Sequence, residues 1–167
     1  MFTKWLKPMH RSKLQNRDFE RVGPSIVILN RQRAWAVDLP FLRRAAAVAL
    51  DLCVSQRGGG SELLTDLDEI VITCVSDKRI ARVHREFMSI AGATDVITFQ
   101  HGDILISADT AARAGHEHGH SLDEELLLYV VHGLLHLNGH DDLEEGNRSV
   151  MHLVQDKVWR AVLDCVG

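Results

Sequence analysis

Apolar residues follow two different periods along this chain, and the period sorts most of its segments. Ser25-Ile-Val-Ile-Leu29 is a short β-branched run after Pro24 and predicts a strand, with Arg33-Ala-Trp-Ala-Val37 extending it at an edge. From Phe41 the spacing turns helical: Phe41, Leu42, Ala45, Ala46, Ala49, Leu52 and Cys53 share one face, behind an Asp38 N-cap and Pro40 in the first turn. Arg57-Gly-Gly-Gly60 stops that helix and predicts a flexible loop. Glu69–Val75 reads as a second strand and 77–88 as a short charged helix. Thr94–Phe99 and Asp103–Ser107 read as two more strands, joined through Gln100-His101-Gly102 as a hairpin.

The longest apolar segment follows Ser121-Leu-Asp-Glu124, a capping box. The helix it opens runs to about Asn138 and is apolar almost all round, through Leu126, Leu127, Leu128, Val130, Val131, Leu134, Leu135 and Leu137. A helix with no polar face is predicted to lie in the middle of its domain. Gly139 ends it, and a last helix over about 144–164 presents Val150, Met151, Val154, Val158 and Val162 to the core. The pattern predicts an α/β (α+β) fold: a small mixed sheet wrapped by helices, one of them central.

Length and charge narrow this further. A chain of 167 residues suits one core. Residues 1–23 carry six Lys and Arg without apolar periodicity, which predicts a basic mobile arm ahead of a single domain over 24–167. The formal net charge of −4 means that any nucleic-acid contact must come from a local patch. There is no run of about 18 apolar residues to span a membrane, and the basic N-terminus lacks the apolar core of a secretory signal, so a cytoplasmic monomer is expected. Cys53, Cys74 and Cys165 are odd in number and far apart, as reduced thiols are.

The candidate chemistry sits at the end of the central helix, in His132-Gly-Leu-Leu-His136-Leu-Asn-Gly139-His140-Asp141-Asp142. Histidines at i and i+4 leave one face of a helix with Cβ atoms ~6 Å apart, close enough to share one ion with bonds of ~2.0–2.1 Å. Gly139 lets the chain turn back, so that Asp142, or alternatively His140, can close a third corner. Two histidines and a carboxylate suit one zinc ion per chain, with water in the fourth position. The spacing has the geometry of the zinc-protease pattern H-E-x-x-H-x-x-G-x-x-H. Gly133 stands where that pattern needs its Glu base, which argues against a peptidase. Asp141 and His140 are secondary candidates for proton transfer. Lys78, Arg82 and Arg85, at i, i+4 and i+7 of the charged helix, form either a basic stripe for RNA or a solvated face. His116-Glu-His-Gly-His120 could bind a metal adventitiously but reads rather as a plain solvent loop, Thr94-Asp95 alone as a turn, and His152 as a surface or core residue.

These motifs together resemble the YbeY family, the bacterial endoribonucleases of ribosomal RNA maturation. The family's H-G-x-L-H-L-x-G-[YH]-D-H is matched by His132–Asp142, its P-T-D-V-[LI]-[ST]-F by Ala93–Phe99, and its G-D-[IL]-x-I by Gly102–Ile106. The order and spacing agree from about Ser25 to Leu163. The resemblance implies a zincin-like domain with a four-stranded, mostly parallel sheet and zinc at the end of the central helix. It also implies single-strand-specific cleavage in small-subunit ribosomal RNA maturation, with ribosomal RNA and the small ribosomal subunit as partners. The ligands would be His132, His136 and Asp142. Three positions depart from the family: Asp142 replaces its third histidine, Met88 an arginine linked to RNA cleavage, and His84 its usual asparagine. Losing that arginine removes a planar cation suited to phosphate, so that either a neighbour such as Arg85 or His84 compensates or the nuclease activity is weakened. The rival expectations are a zinc peptidase and a non-catalytic assembly factor whose zinc only staples the fold.

Overall fold

A computed structural model describes residues 23–167. The expected basic arm, apart from Gly23, lies outside them. The elements run β1 (Ser25–Asn30), α1 (Leu39–Val54), β2 (Glu69–Val75), α2 (Asp77–Met88), β3 (Val96–Thr98), β4 (Asp103–Ser107), α3 (Ala108–His118), α4 (Leu122–Leu137) and α5 (Glu145–Val166). One four-stranded sheet has the order β1-β2-β4-β3. β1 pairs parallel with β2 and β2 with β4, while β3 and β4 form the antiparallel edge.

Alternation along the strands sends side chains to two different layers. Ile28, Ile70, Ile72, Cys74, Ile104 and Ile106 join the main core with α1, α4 and α5. Val75, Ile97, Leu105 and Phe99 face the other way and pack on Ile80 and Val83 of α2. α4 lies at the centre, against α1, α3, α5 and the β3–β4 edge. Its capping box forms in full: Ser121 Oγ accepts from Glu124 N, and Glu124 Oε2 accepts from Ser121 N. Each fully buried leucine on it contributes about 2–3 kcal/mol of transfer free energy, which explains why a helix with no polar stripe holds the domain together.

Four expectations need correction. Val150 is 55 % exposed rather than in the core, and Met151 takes the buried position in that turn of α5. Residues 33–37 form no strand: Gln32 closes a local turn instead, donating from Nε2 to Trp35 O at 2.9 Å and accepting from Trp35 N at 2.9 Å. Backbone groups satisfied by one side chain are not available to a ladder. The segment 108–118, its end taken as a solvent loop, is helix α3. Ser107 caps it, Gly119 closes it at φ 75°, and its buried face consists of Ala108, Ala111 and Gly115. A stripe that small gives no visible apolar period. The loop Arg57–Gly60 is strapped down: Gly58 N and Gly60 N donate to Asn138 O and Gly139 O, each at 2.9 Å. A side chain at Gly58 would collide with the Gly139 backbone, so the glycines serve a close approach between loop and turn.

Candidate metal centre

His132 and His136 leave α4 on one face, one turn apart, and both are buried, at 4 % and 1 % exposure. Their Nδ1 atoms are committed. His132 Nδ1–H donates to Gln155 Oε1 at 2.7 Å, and His136 Nδ1–H donates to the His140 carbonyl at 3.0 Å. A carbonyl only accepts, so the proton on His136 is at Nδ1. Both Nε2 atoms therefore present lone pairs, and they face each other at 2.9 Å. Gly139, at φ 90°, folds the chain back and brings Asp142 over the pair. Asp142 Oδ2 is 3.8 Å from His132 Nε2, and Oδ1 is 3.9 Å from His136 Nε2. That carboxylate is 2 % exposed, and Oδ1 has no hydrogen-bond partner among the described residues.

Facing lone pairs beside a buried, under-satisfied carboxylate form a repulsive set unless a cation stands among them. A tetrahedral ion with bonds of ~2.0–2.1 Å holds its ligand atoms ~3.3 Å apart. The three observed separations bracket that value, so the residues present fit a metal. Burial drives His136 down to about 3, with the neighbouring His132 adding to the shift. Burial also lowers His132, against an opposing pull from its bond to Gln155. Both imidazoles are thus held neutral, the form that ligates.

The remaining candidates are placed elsewhere. His140 Nε2 donates to Gln56 O at 3.0 Å, and Asn138 Nδ2 donates to Cys53 O and Gln56 O, each at 2.8 Å; both residues lash the strapped loop to the end of α4. Asp141 accepts from Leu143 N and Asn147 Nδ2 at the start of α5. It lines a hollow of about 320 Å³ with Gly58–Gly60 and Asn147. Thr94 donates to Asp95, whose Oδ1 also accepts from Val96 N, and the Asp95 charge reaches His132. At Gly133 an added Cβ would stand 2.9 Å from two Ile104 carbons and 3.2 Å from Thr98 Oγ1. A glutamate at that position, as in a zinc peptidase, would have to enter the sheet rather than the site.

Lys78, Arg82 and Arg85 are exposed on α2, as is Arg79, and none is in an ion pair among the described residues. α2 packs on the opposite face of the sheet from α4, however, so this stripe is not in one layer with the histidines. His84 is buried and donates from Nδ1 to Gly92 O at 3.0 Å, bracing the α2–β3 loop. Met88 packs on the small apolar cluster under α2. The sequence reading missed Gln155. Its only signal is a polar residue in the otherwise apolar series Met151, Gln155, Val158, Val162.

Known proteins resemble this chain in sequence and in fold. A family profile described as "Endoribonuclease YbeY" matches residues 28–162. A protein named endoribonuclease YbeY from Micrococcus luteus is 31% identical over 155 residues, covering 83% of this chain and 92% of that one. One of the same name from Thermus thermophilus is 35% identical over 133 residues, covering 72% and 88%. The solution structure of a Thermotoga maritima protein superposes with a TM-score of 0.56 at 25% identity, over 82% of this chain and 88% of that one. The profile match over most of the chain, with relatives 31% and 35% identical along most of their length, makes this chain a member of the YbeY endoribonuclease family.

Proposed function

We propose that this protein is a zinc-dependent endoribonuclease that cleaves single-stranded RNA during ribosomal RNA maturation, with His132, His136 and Asp142 holding one ion. The observation that carries the reading is the pair of Nε2 lone pairs 2.9 Å apart beneath the Asp142 carboxylate. An ion bound there supplies Lewis acidity toward a phosphodiester oxygen and lowers the pKa of a water. The chain's own groups orient and exclude. Gln155 and the His140 carbonyl hold the two rings in one tautomer. Asp141, on the rim of the adjoining hollow, is the carboxylate we assign to proton transfer. Lys78, Arg82 and Arg85 draw in the polyanion from the far side of the sheet, so a bound strand has to pass around the β3–β4 edge. The partners are ribosomal RNA and the small ribosomal subunit, and the compartment is the cytoplasm. Among the described residues, no helix is long and apolar enough to cross a membrane.

A second reading, a non-catalytic ribosome assembly factor with a structural ion, has two observations in its favour: the near-complete burial of the three side chains, and Met88 plugged into an apolar cluster. Digestion of ribosomal RNA by the zinc-loaded chain separates the two. Cleavage abolished by chelator and by His136→Ala supports the nuclease. RNA binding that survives chelation without cleavage, with Met88→Arg equally inert, supports the assembly factor.

A further inference from the structure

A second cluster of ligating groups lies at the opposite end of α4. Glu125 sits in its first turn with only 1 % of its side chain exposed, yet it carries a carboxylate. His120 Nδ1 is 2.7 Å and His118 Nδ1 3.4 Å from the same Oε1. Two observations show how the fold builds this arrangement. α3 ends at His118, and Gly119, at φ 75°, turns the chain so that the next histidine returns toward α4. Gly115 then brings α3 against the turn: a Cβ there would be 2.7 Å from His120 O and 3.3 Å from Glu125 Cγ. The His120 ring also lies against Trp159 of α5, with centroids 4.7 Å apart.

A buried carboxylate needs a cation or several donors to offset its lost hydration. Among the described residues, the partners paired with Glu125 are these two imidazoles and no Lys or Arg. We infer that His118, His120 and Glu125 form a second binding site for a divalent transition-metal ion of the zinc class, separate from the site at His132 and His136.

The donor chemistry selects the ion. Two imidazoles and one carboxylate suit zinc, cobalt or nickel, whereas magnesium and calcium prefer oxygen ligands alone. The three ligand atoms lie within 4.8 Å of one another. Seating an ion requires the His120–Glu125 hydrogen bond to open from 2.7 Å toward the ~3.3 Å edge of a tetrahedral site. The exposed His118 ring can shift to meet it. The helix dipole at this end opposes a cation, but the first turn supplies Asp123, Glu124 and Glu125 against it. His132 lies seven positions beyond Glu125, about 10 Å along the helix axis, so the two ions would not share ligands. An ion here would tie the α3–α4 turn to the central helix.

The test counts metal in the full chain after chelation and reloading with zinc. We expect about two ions per chain in the native protein and about one in His118→Ala/His120→Ala. The latter variant takes both imidazole partners from the buried carboxylate, so a second readout accompanies it. His132→Ala/His136→Ala should also keep one ion, which separates failure of this site from failure of the other. A spectroscopic arm does not depend on that variant folding. Cobalt should quench the Trp159 fluorescence in the native chain and in His132→Ala/His136→Ala, and the quench should be lost in Glu125→Gln and in Trp159→Phe. An unchanged zinc count in His118→Ala/His120→Ala overturns the site, as does uptake there only at millimolar zinc.

Discussion

Gln155→Leu is the sharpest test of how the first site is built. Gln155 Oε1 accepts from His132 Nδ1 at 2.7 Å and so keeps the proton off Nε2. Leucine is similar in volume but cannot accept. The His132 proton then moves to Nε2, where it makes a hydrogen bond to His136 Nε2, 2.9 Å away, in place of two facing lone pairs. The metal-free protein therefore loses little. Metal binding must first displace that proton. Loss of such an outer hydrogen bond typically costs 10–100-fold in metal affinity, about 1.4–2.8 kcal/mol. At a fixed zinc concentration well above Kd, the zinc-induced gain in unfolding free energy should shrink by the same amount. For a chain of this size that means a melting temperature lower by roughly 3–10 °C with zinc and little change without it. A competition titration against a chromogenic chelator reads the affinity directly. Gln155→Glu keeps an acceptor and should restore binding. If Gln155→Leu binds zinc as tightly as the native chain, or melts equally lower with and without zinc, the tautomer argument is wrong.

Metal-free protein should lose stability in acid through His136. Its folded pKa, about 3, lies below the ~6.5 of an unfolded histidine, so the unfolded chain binds the extra proton between those values. The stabilisation is present above about pH 6.5 and drains by up to ~1.4 kcal/mol per unit as the pH falls toward 3; urea midpoints should flatten over that window in His136→Gln, and an unchanged slope would refute the burial argument. Arg82→Ala should lower the salt sensitivity of single-stranded RNA binding by ~0.7 in the log–log slope if Arg82 contacts one phosphate; an identical slope removes α2 from the RNA path. Gly139→Ala should destabilise the protein by ~1–3 kcal/mol, since residue 139 sits at φ 90° with an added Cβ 2.9 Å from Gly60 O; denaturant unfolding at native stability would mean that the turn can relax.

Much of this protein is legible in its sequence because the determinants are local. The capping box at Ser121 and Glu124 and the apolar circumference of α4 mark a buried central helix. Helical spacing puts His132 and His136 on one face, and a glycine three residues after His136 carries the chain back toward them. The family motifs lie along the same few segments. Other features depend on which element packs on which. α3 leaves no trace in the pattern because its buried face is alanine and glycine, too small to mark a period. Gln155 reaches His132 across 23 residues only because α5 lies against α4. Nothing in the spacing of Lys78, Arg82 and Arg85 reveals that they face away from the histidines; the alternation of Ile97 and Leu105 against Val96 and Ile104 decides it, by giving each face of the sheet its own layer. His118 and His120 read as solvent residues until the α3–α4 turn sets them on Glu125. Local sequence determines which side chains an element presents and at what spacing, because dihedral preferences and caps act within a turn or two. Which of those side chains meet is decided by the burial of apolar faces from distant segments.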